Sequence, residues 1–229
     1  MLLFVQSYDV RKGKSSEYTD FVLRTHLPSL KSLGLNVIGG FHVIVGSGPR
    51  ISVVSKADTF LELEKVIWSQ KFVSLTEELQ NYVQDYGSRV LRNTERVVVD
   101  DYSIDSGTWR LNQYYKISRG SEKEYTEFLA TDYIPKLADL GLKVRAEWQV
   151  VLGSGPRILL ETVAPNITDI AHAFNADEFR RLRRSLIINY LDSYSSRILA
   201  PTGRVEVAFI LGGMTAALQE KNGGSGNKV

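Results

Sequence analysis

Residues 46–50, Gly-Ser-Gly-Pro-Arg, occur a second time as residues 153–157, at an offset of 107 positions. Sliding the chain by this offset gives a long ungapped match, which resumes after one inserted residue. The matched stretches are residues 3–57 on 110–164 and residues 88–91 on 196–199. Self-similarity of this length indicates two tandem copies of one structural unit.

Both copies predict the same order of elements, strand-helix-strand-strand-helix-strand. Alternating apolar residues predict the strands and apolar residues at helical spacing predict the helices. The predicted ranges are 2–10, 15–33, 35–45, 50–57, 60–84 and 89–99 in the first copy, and 110–117, 122–140, 142–152, 157–164, 167–191 and 197–207 in the second. This is the split βαβ pattern of a ferredoxin-like βαββαβ module. The predicted fold class is therefore α+β, with two such modules and antiparallel sheets.

The repeat also sets the predicted domain boundaries. They are a first repeat at 1–99, a linker at 100–107, a second repeat at 108–207 and a partly disordered tail at 208–229. Two features inside the repeats carry expectations of their own. Pro28 and Pro135 fall within helical stretches, where proline costs about 3 kcal/mol, so we expect a kink or a fresh helix start. The Gly-Ser-Gly-Pro segments join two strands and lack the lysine of a phosphate-binding loop, so we interpret them as hairpin turns.

Composition limits the function classes. The 229 residues are 43% hydrophobic and 24% charged, with a formal net charge of +2 and no cysteine. Disulfides and cysteine-ligated metals are excluded, and we expect a cytoplasmic protein. The small net charge favours no nucleic-acid partner, and the arginine-rich run at 180–184 is interpreted as a solvated helix face. No run reaches the roughly 18 apolar residues of a membrane span, so no membrane partner is expected.

The polar positions of the second-copy strands predict a candidate site. The apolar set, with Trp148, is expected under the helices, and the alternate set, with Glu147, on the other face. A hairpin register with Leu152 opposite Pro156 places Glu147 directly opposite Glu161, with Arg145 diagonally near. Two carboxylates that close repel, so one keeps its proton or a cation lies between them.

These residues form two groups of candidates. The catalytic candidates are Glu147, Glu161 and Arg145, and the ligand-binding candidates on neighbouring strand positions are Asn112, Tyr114, Lys116, Gln149 and His42. Lys116 is the cation expected beside the carboxylates. The alternative interpretation is a neutralised ion network or a solvated sheet face. The first copy has Gly40 and Val54 at the two carboxylate positions, so any such chemistry belongs to the second copy.

Histidine spacing gives no metal site and no cofactor. His26, His42 and His172 are too far apart in sequence to form a ligand motif. A single axial histidine can hold haem, but one histidine alone does not indicate it. We therefore expect neither a metal nor a cofactor.

Gly, Tyr, Pro and other aromatic residues recur at fixed places in both copies. They are Tyr8, Gly13, Tyr18, Phe21, Pro28, Phe41 and Gly46, with the second-copy counterparts Tyr115, Gly120, Tyr125, Phe128, Pro135, Trp148 and Gly153. This pattern resembles NIPSNAP-type domains of the dimeric α/β-barrel superfamily. It covers the chain to about residue 207. It implies a barrel made from two facing ferredoxin-like sheets, within one chain or between chains, and no settled activity.

Three functions remain open at this point. The first is a small-molecule-binding protein, with a ligand of unknown class in a cavity lined by the polar sheet face. The second is a cofactor-independent enzyme, of monooxygenase or isomerase type, acting on an aromatic or enolisable substrate. The third is a homo-oligomeric assembly module.

Overall fold

The computed structural model describes residues 1–105 and 107–200. Strands and helices follow one another as the repeat predicted. The strands are β1 (Leu2–Val10), β2 (Asn36–Val45), β3 (Ile51–Ala57), β4 (Val83–Asn93), β5 (Trp109–Ile117), β6 (Lys143–Leu152), β7 (Ile158–Ala164) and β8 (Leu191–Ala200). The helices are α1 (Ser15–Phe21), α2 (Leu27–Ser32), α3 (Phe60–Ile67), α4 (Gln70–Leu79), α5 (Glu122–Phe128), α6 (Ile134–Asp139), α7 (Ile167–Asn175) and α8 (Asp177–Tyr190).

The chain forms two compact units. Of the described residues, the first unit takes 1–43 and 48–90, and the second takes 44–47 and 91–200. Strand order is β4-β1-β3-β2 in the first and β8-β5-β7-β6 in the second, so both have the order fourth, first, third, second. In the first unit β3 pairs antiparallel with β1 and β2, and in the second unit β5 pairs antiparallel with β7 and β8, and β6 with β7. The predicted α+β ferredoxin-like class is confirmed. The predicted tail lies outside the described residues.

Each first helical stretch contains a π-helical turn at the same repeat position. The turns are Val22–His26 and Leu129–Tyr133, and each is followed by a short helix with proline in its first turn. Proline has no N–H and its ring crowds the carbonyl four residues earlier. A wider turn at that point relieves the crowding, and the α-helix continues beyond it. The backbone stays helical through both turns, so each proline is accommodated by a π turn within a continuous helical stretch and not by a fresh helix start.

The last strand of each unit begins earlier than predicted. β4 begins at Val83 rather than residue 89, and β8 begins at Leu191 rather than residue 197. Both early segments are mostly polar and exposed, so they carry little of the apolar alternation that marks a half-buried strand.

The helices of each unit cover one face of its sheet, which we call the helix face. In the first unit Tyr8 of β1 meets Tyr18 of α1 at 6.2 Å between ring centroids. In the second unit the hydroxyls of Tyr115 (β5) and Tyr125 (α5) are 2.6 Å apart. The opposite face is called the distal face. Within the described ranges, no helix is both long enough and apolar enough to span a bilayer.

Candidate functional site

A β-bulge in β6 decides which side chains face the helices. Val144 pairs with Thr162, but Ala146 pairs with Glu161, so Arg145 is an extra residue on its strand. An extra residue reverses the in-out alternation of the side chains that follow it. The first unit has the same irregularity, between Val37 and Gly39 of β2.

The bulge makes the predicted hairpin register wrong. Glu147 pairs with Leu160 instead of Glu161. Leu160 belongs to the core under the helices, so Glu147 lies on the helix face and Glu161 on the distal face. Trp148, predicted to lie beneath the helices, shares the distal face with Glu161 and donates a 3.0 Å hydrogen bond from Nε1 to its carboxylate.

Glu147 is fully buried and held by four side chains. Arg96 Nε donates to its Oε2 at 2.6 Å, and the Thr94 hydroxyl donates to the same oxygen. The Tyr125 hydroxyl donates to Oε1, with the Tyr115 hydroxyl 3.4 Å away. Burial, and then the charge of Glu147, raise the pKa of Tyr125 well above its usual value. Both carboxylate oxygens therefore have donors.

Glu161 is equally well satisfied on the distal face. The Tyr102 hydroxyl donates to its Oε1 at 2.9 Å, and Arg110 Nη1 lies 3.4 Å from the same oxygen. Tyr102 also packs edge-on against Trp148, with ring centroids 4.9 Å apart. Arg110 is 1% exposed and Glu161 2%, so this is a buried ion pair. Burial raises the pKa of the Tyr102 hydroxyl well above its usual value, and the neighbouring carboxylate raises it further.

Residues 93–105, which we call the strap, supply partners to both carboxylates. Thr94 and Arg96 reach Glu147, and Tyr102 reaches Glu161. Most of the predicted linker therefore packs on the second unit, with Tyr102 and Ile104 buried. The sequence carried a signal for this, because these two are the apolar residues in an otherwise acidic and polar run. The geometry favours the ion-network interpretation for both carboxylates.

The predicted cations lie elsewhere. Lys116 pairs with Asp192 at 2.7 Å, at an exposed position, and Arg110 takes the place expected for it beside Glu161. Arg145, at the bulge, donates from Nη2 to the Asp101 carbonyl at 3.0 Å, within the strap. Sequence reasoning missed Arg110, because charged residues are rarely buried on a central strand.

Gln149 and His42 also lie on helix faces, which corrects their predicted placement. Gln149 pairs with Ile158, a core residue, and accepts a 3.4 Å hydrogen bond from Arg92. His42 pairs with Ile51 in the first unit and is 5% exposed. Burial, and then the charge of Arg50, lower the pKa of His42.

The remaining distal-face candidates, Asn112 and Tyr114, do lie with Glu161. Asn112 pairs with Glu161 on one side and Arg197 of β8 on the other. Asn112 Nδ2 donates to the Tyr114 hydroxyl at 3.3 Å, and the Arg197 guanidinium lies 5.1 Å from the centroid of the Tyr114 ring. Arg197 was not among the predicted site residues. Its strand was predicted to begin at residue 197, so it was not recognised as lying in the middle of β8.

Two further properties distinguish the trio formed by Asn112, Tyr114 and Arg197. Asn112 is 3% exposed, and its Oδ1 has no hydrogen-bond partner among the residues that the structure describes. In that same part of the chain, no carboxylate forms an ion pair with Arg197. A buried acceptor and an uncompensated cation therefore lie on adjacent strands.

The histidines do not fit an axial haem ligand at this trio. His172 is exposed on α7, and His26 and His42 belong to the first unit. The distal-face positions paired on β5, β6, β7 and β8 include no histidine. In the described ranges, no three His, Asp or Glu side chains cluster as metal ligands would.

Comparison with known proteins places the chain by fold. No protein-family model matches it, and no curated protein is similar to it in sequence. An anthrone oxidase-like protein matches with a TM-score of 0.57 at 8% identity, over 86% of this chain and 90% of that one. A heme-binding protein from Thermus thermophilus matches at 0.51 and 8% identity, over 91% and 94%. A NIPSNAP family protein from Agrobacterium tumefaciens matches 44% of this chain and 95% of its own at 18% identity, with a TM-score of 0.33. The two matches with TM-scores above 0.5 show that the chain shares the ferredoxin-like α+β fold of these proteins, as its sequence predicted.

Proposed function

We propose that this chain binds a small organic molecule on the distal face of the second unit, with Asn112, Tyr114 and Arg197 as its contacts. Proteins of this fold include one named as heme-binding and one named as anthrone oxidase-like, which supports a small-molecule ligand for this chain. Because the fold alone does not choose a ligand, the residues must do so.

The observation that carries the proposal is the buried Oδ1 of Asn112, which has no partner within the described residues. A buried polar atom without a hydrogen bond costs about 1–3 kcal/mol. A ligand that donates a hydroxyl or N–H to this oxygen removes that cost on binding. The Nδ2 bond to Tyr114 holds the amide in the orientation that presents Oδ1.

Arg197 adds the second requirement. Its guanidinium stacks on Tyr114 and has no acidic partner in the described part of the chain. A stacked guanidinium donates its paired N–H groups to a carboxylate, phenolate or enolate that lies in its plane. The proposed ligand is therefore a small molecule with one acidic oxygen and one hydrogen-bond donor. Glu147 and Glu161 hold the surrounding structure in this proposal and do not exchange protons with the ligand.

Asn112→Val tests the site, because valine stands at the equivalent position of the first copy, Val5, where it is buried. Native mass spectrometry of the purified wild-type protein should show a retained small molecule. The variant should bind that molecule about three- to tenfold more weakly, the effect of losing one hydrogen bond. Asn36→Val, at an exposed strand position, is the matched control and should leave affinity unchanged.

The proposal fails on either of two results. One is a retained molecule whose affinity is the same in Asn112→Val and in the wild type. The other is a protein that is bare after purification and also shows no binding to a set of aromatic hydroxy acids in the same spectrometer.

A further inference from the structure

The first unit carries an apolar groove on its helix side. The groove measures about 350 Å³ and lies between α3, α4 and the strands β1 and β4. Its walls include Phe4, Ile67 and Phe72, and Trp68 at its edge is 76% exposed. An indole this exposed beside apolar walls marks a surface that can take a partner.

The second unit has an arginine at the corresponding place. The guanidinium carbon of Arg183, on α8, lies 5.7 Å from the ring centroids of both Phe174 and Phe179. A guanidinium over two aromatic faces is a cation–π arrangement. Burial raises the pKa values of Tyr133 and Tyr194, and the charge of Arg183 opposes this rise at both hydroxyls, so its guanidinium lies near them.

The repeat makes the comparison position by position. At the offset of 107, Phe174 and Phe179 correspond to Ile67 and Phe72 of the groove, and Arg183 corresponds to Thr76. Thr76 is too short to reach over the neighbouring ring. The space that the second copy fills with its own guanidinium is therefore open in the first.

The geometry points to an arginine side chain of a partner polypeptide as the occupant of this groove. The second copy shows that the same fold, at the same position, accommodates an arginine guanidinium over its aromatic wall. The first copy supplies what an external arginine needs in addition. Trp68 offers the aromatic face on which cations bind best, and Glu77 lines the groove with a negative charge where the second copy has Arg184.

Charge complementarity favours this occupant over an apolar one. Apart from Glu77, the polar lining side chains are uncharged, so no cation of the groove itself competes with an incoming guanidinium. The alkyl stem of arginine would contact Ile67 and Val73, while the head group meets Trp68 and Glu77. Lysine fits less well, because its ammonium is more strongly hydrated and cannot stack.

The test uses three acetylated tripeptide amides, Gly-Arg-Gly, Gly-Lys-Gly and Gly-citrulline-Gly, titrated into the full-length protein. The readout is the indole N–H resonance of Trp68, assigned by its loss in Trp68→Phe. The arginine peptide should shift this resonance saturably and bind about fivefold or more tightly than the citrulline peptide, which keeps the shape without the charge. The lysine peptide should fall between them.

Thr76→Arg should abolish the response, because it gives the first copy the guanidinium that the second already has. Glu77→Gln, at an exposed position, should weaken arginine binding about threefold. Equal shifts with citrulline and arginine, or no saturable shift at all, would overturn the proposal. So would arginine binding that survives in a folded Thr76→Arg protein.

Discussion

Replacing Glu161 with valine should lower the free energy of unfolding by about 3–5 kcal/mol, the typical result of removing one partner of a buried ion pair. Arg110, at 1% exposure, would lose the carboxylate paired with it and keep its charge, with only the electrostatic effect of Asp105 to offset it. The hydroxyl of Tyr102 and the indole N–H of Trp148 would lose their acceptor as well. Urea denaturation followed by circular dichroism measures the change.

The first copy supplies the control for this prediction. It has Leu3 and Val54 at the positions of Arg110 and Glu161, both buried. The double variant Arg110→Leu/Glu161→Val removes both charges together and should recover more than half of the loss, because replacing a buried pair by apolar residues is often close to neutral. A double variant as unstable as Glu161→Val would show that the ion pair is not the reason for the cost.

Acid should destabilise the protein through His26, by about 3 kcal/mol once the pH falls to 4. His26 is 1% exposed in the first π turn, and burial lowers its pKa from 6.5 to about 4. The unfolded chain binds a proton near pH 6.5, whereas the folded chain does not until about pH 4. Between these values the unfolded state holds more protons, so stability is complete above pH 6.5 and falls as the pH drops through this range.

His26→Tyr should remove this acid-sensitive component. Tyr133 occupies the equivalent π-turn position in the second copy and donates a 2.6 Å hydrogen bond to Gln113 Oε1. The first copy has Gln6 at that place, and its Oε1 has no partner among the described residues. The tyrosine hydroxyl at position 26 would therefore find an unsatisfied acceptor in Gln6 Oε1.

The free energy of unfolding of both proteins at pH 7.5 and 4.5 isolates the contribution of His26, because all other titrating groups are shared. An equal acid loss in the variant would assign the effect elsewhere, with His42 the first alternative.

The internal repeat made most of the fold predictable from the sequence. Each copy repeated the same signals, so an ambiguous stretch in one copy could be read from the other. The departure from a regular α-helix near Pro28 and Pro135 followed from proline chemistry alone. The early parts of β4 and β8 did not follow, because their exposed polar residues carry no strand periodicity.

The candidate site was harder because one residue controls it. Arg145 and its counterpart Ile38 share no sequence feature that predicts a bulge. The extra residue nevertheless places Glu147 on the helix face and Trp148 on the distal face. A register inferred from apolar matching assumes regular pairing, so it could not detect this. Asn112 and Tyr114 were placed correctly because β5 pairs regularly with β7.

The strap bears on how the gene can be divided. A fragment that begins at Thr108, where the predicted second repeat begins, would contain Glu147 without its partners Thr94 and Arg96. It would also contain Glu161 without its partner Tyr102. A fragment that begins at Leu91 retains all three contacts. The second compact unit thus begins about 17 residues before the duplicated sequence, and this added segment contains the partners of two buried acidic side chains.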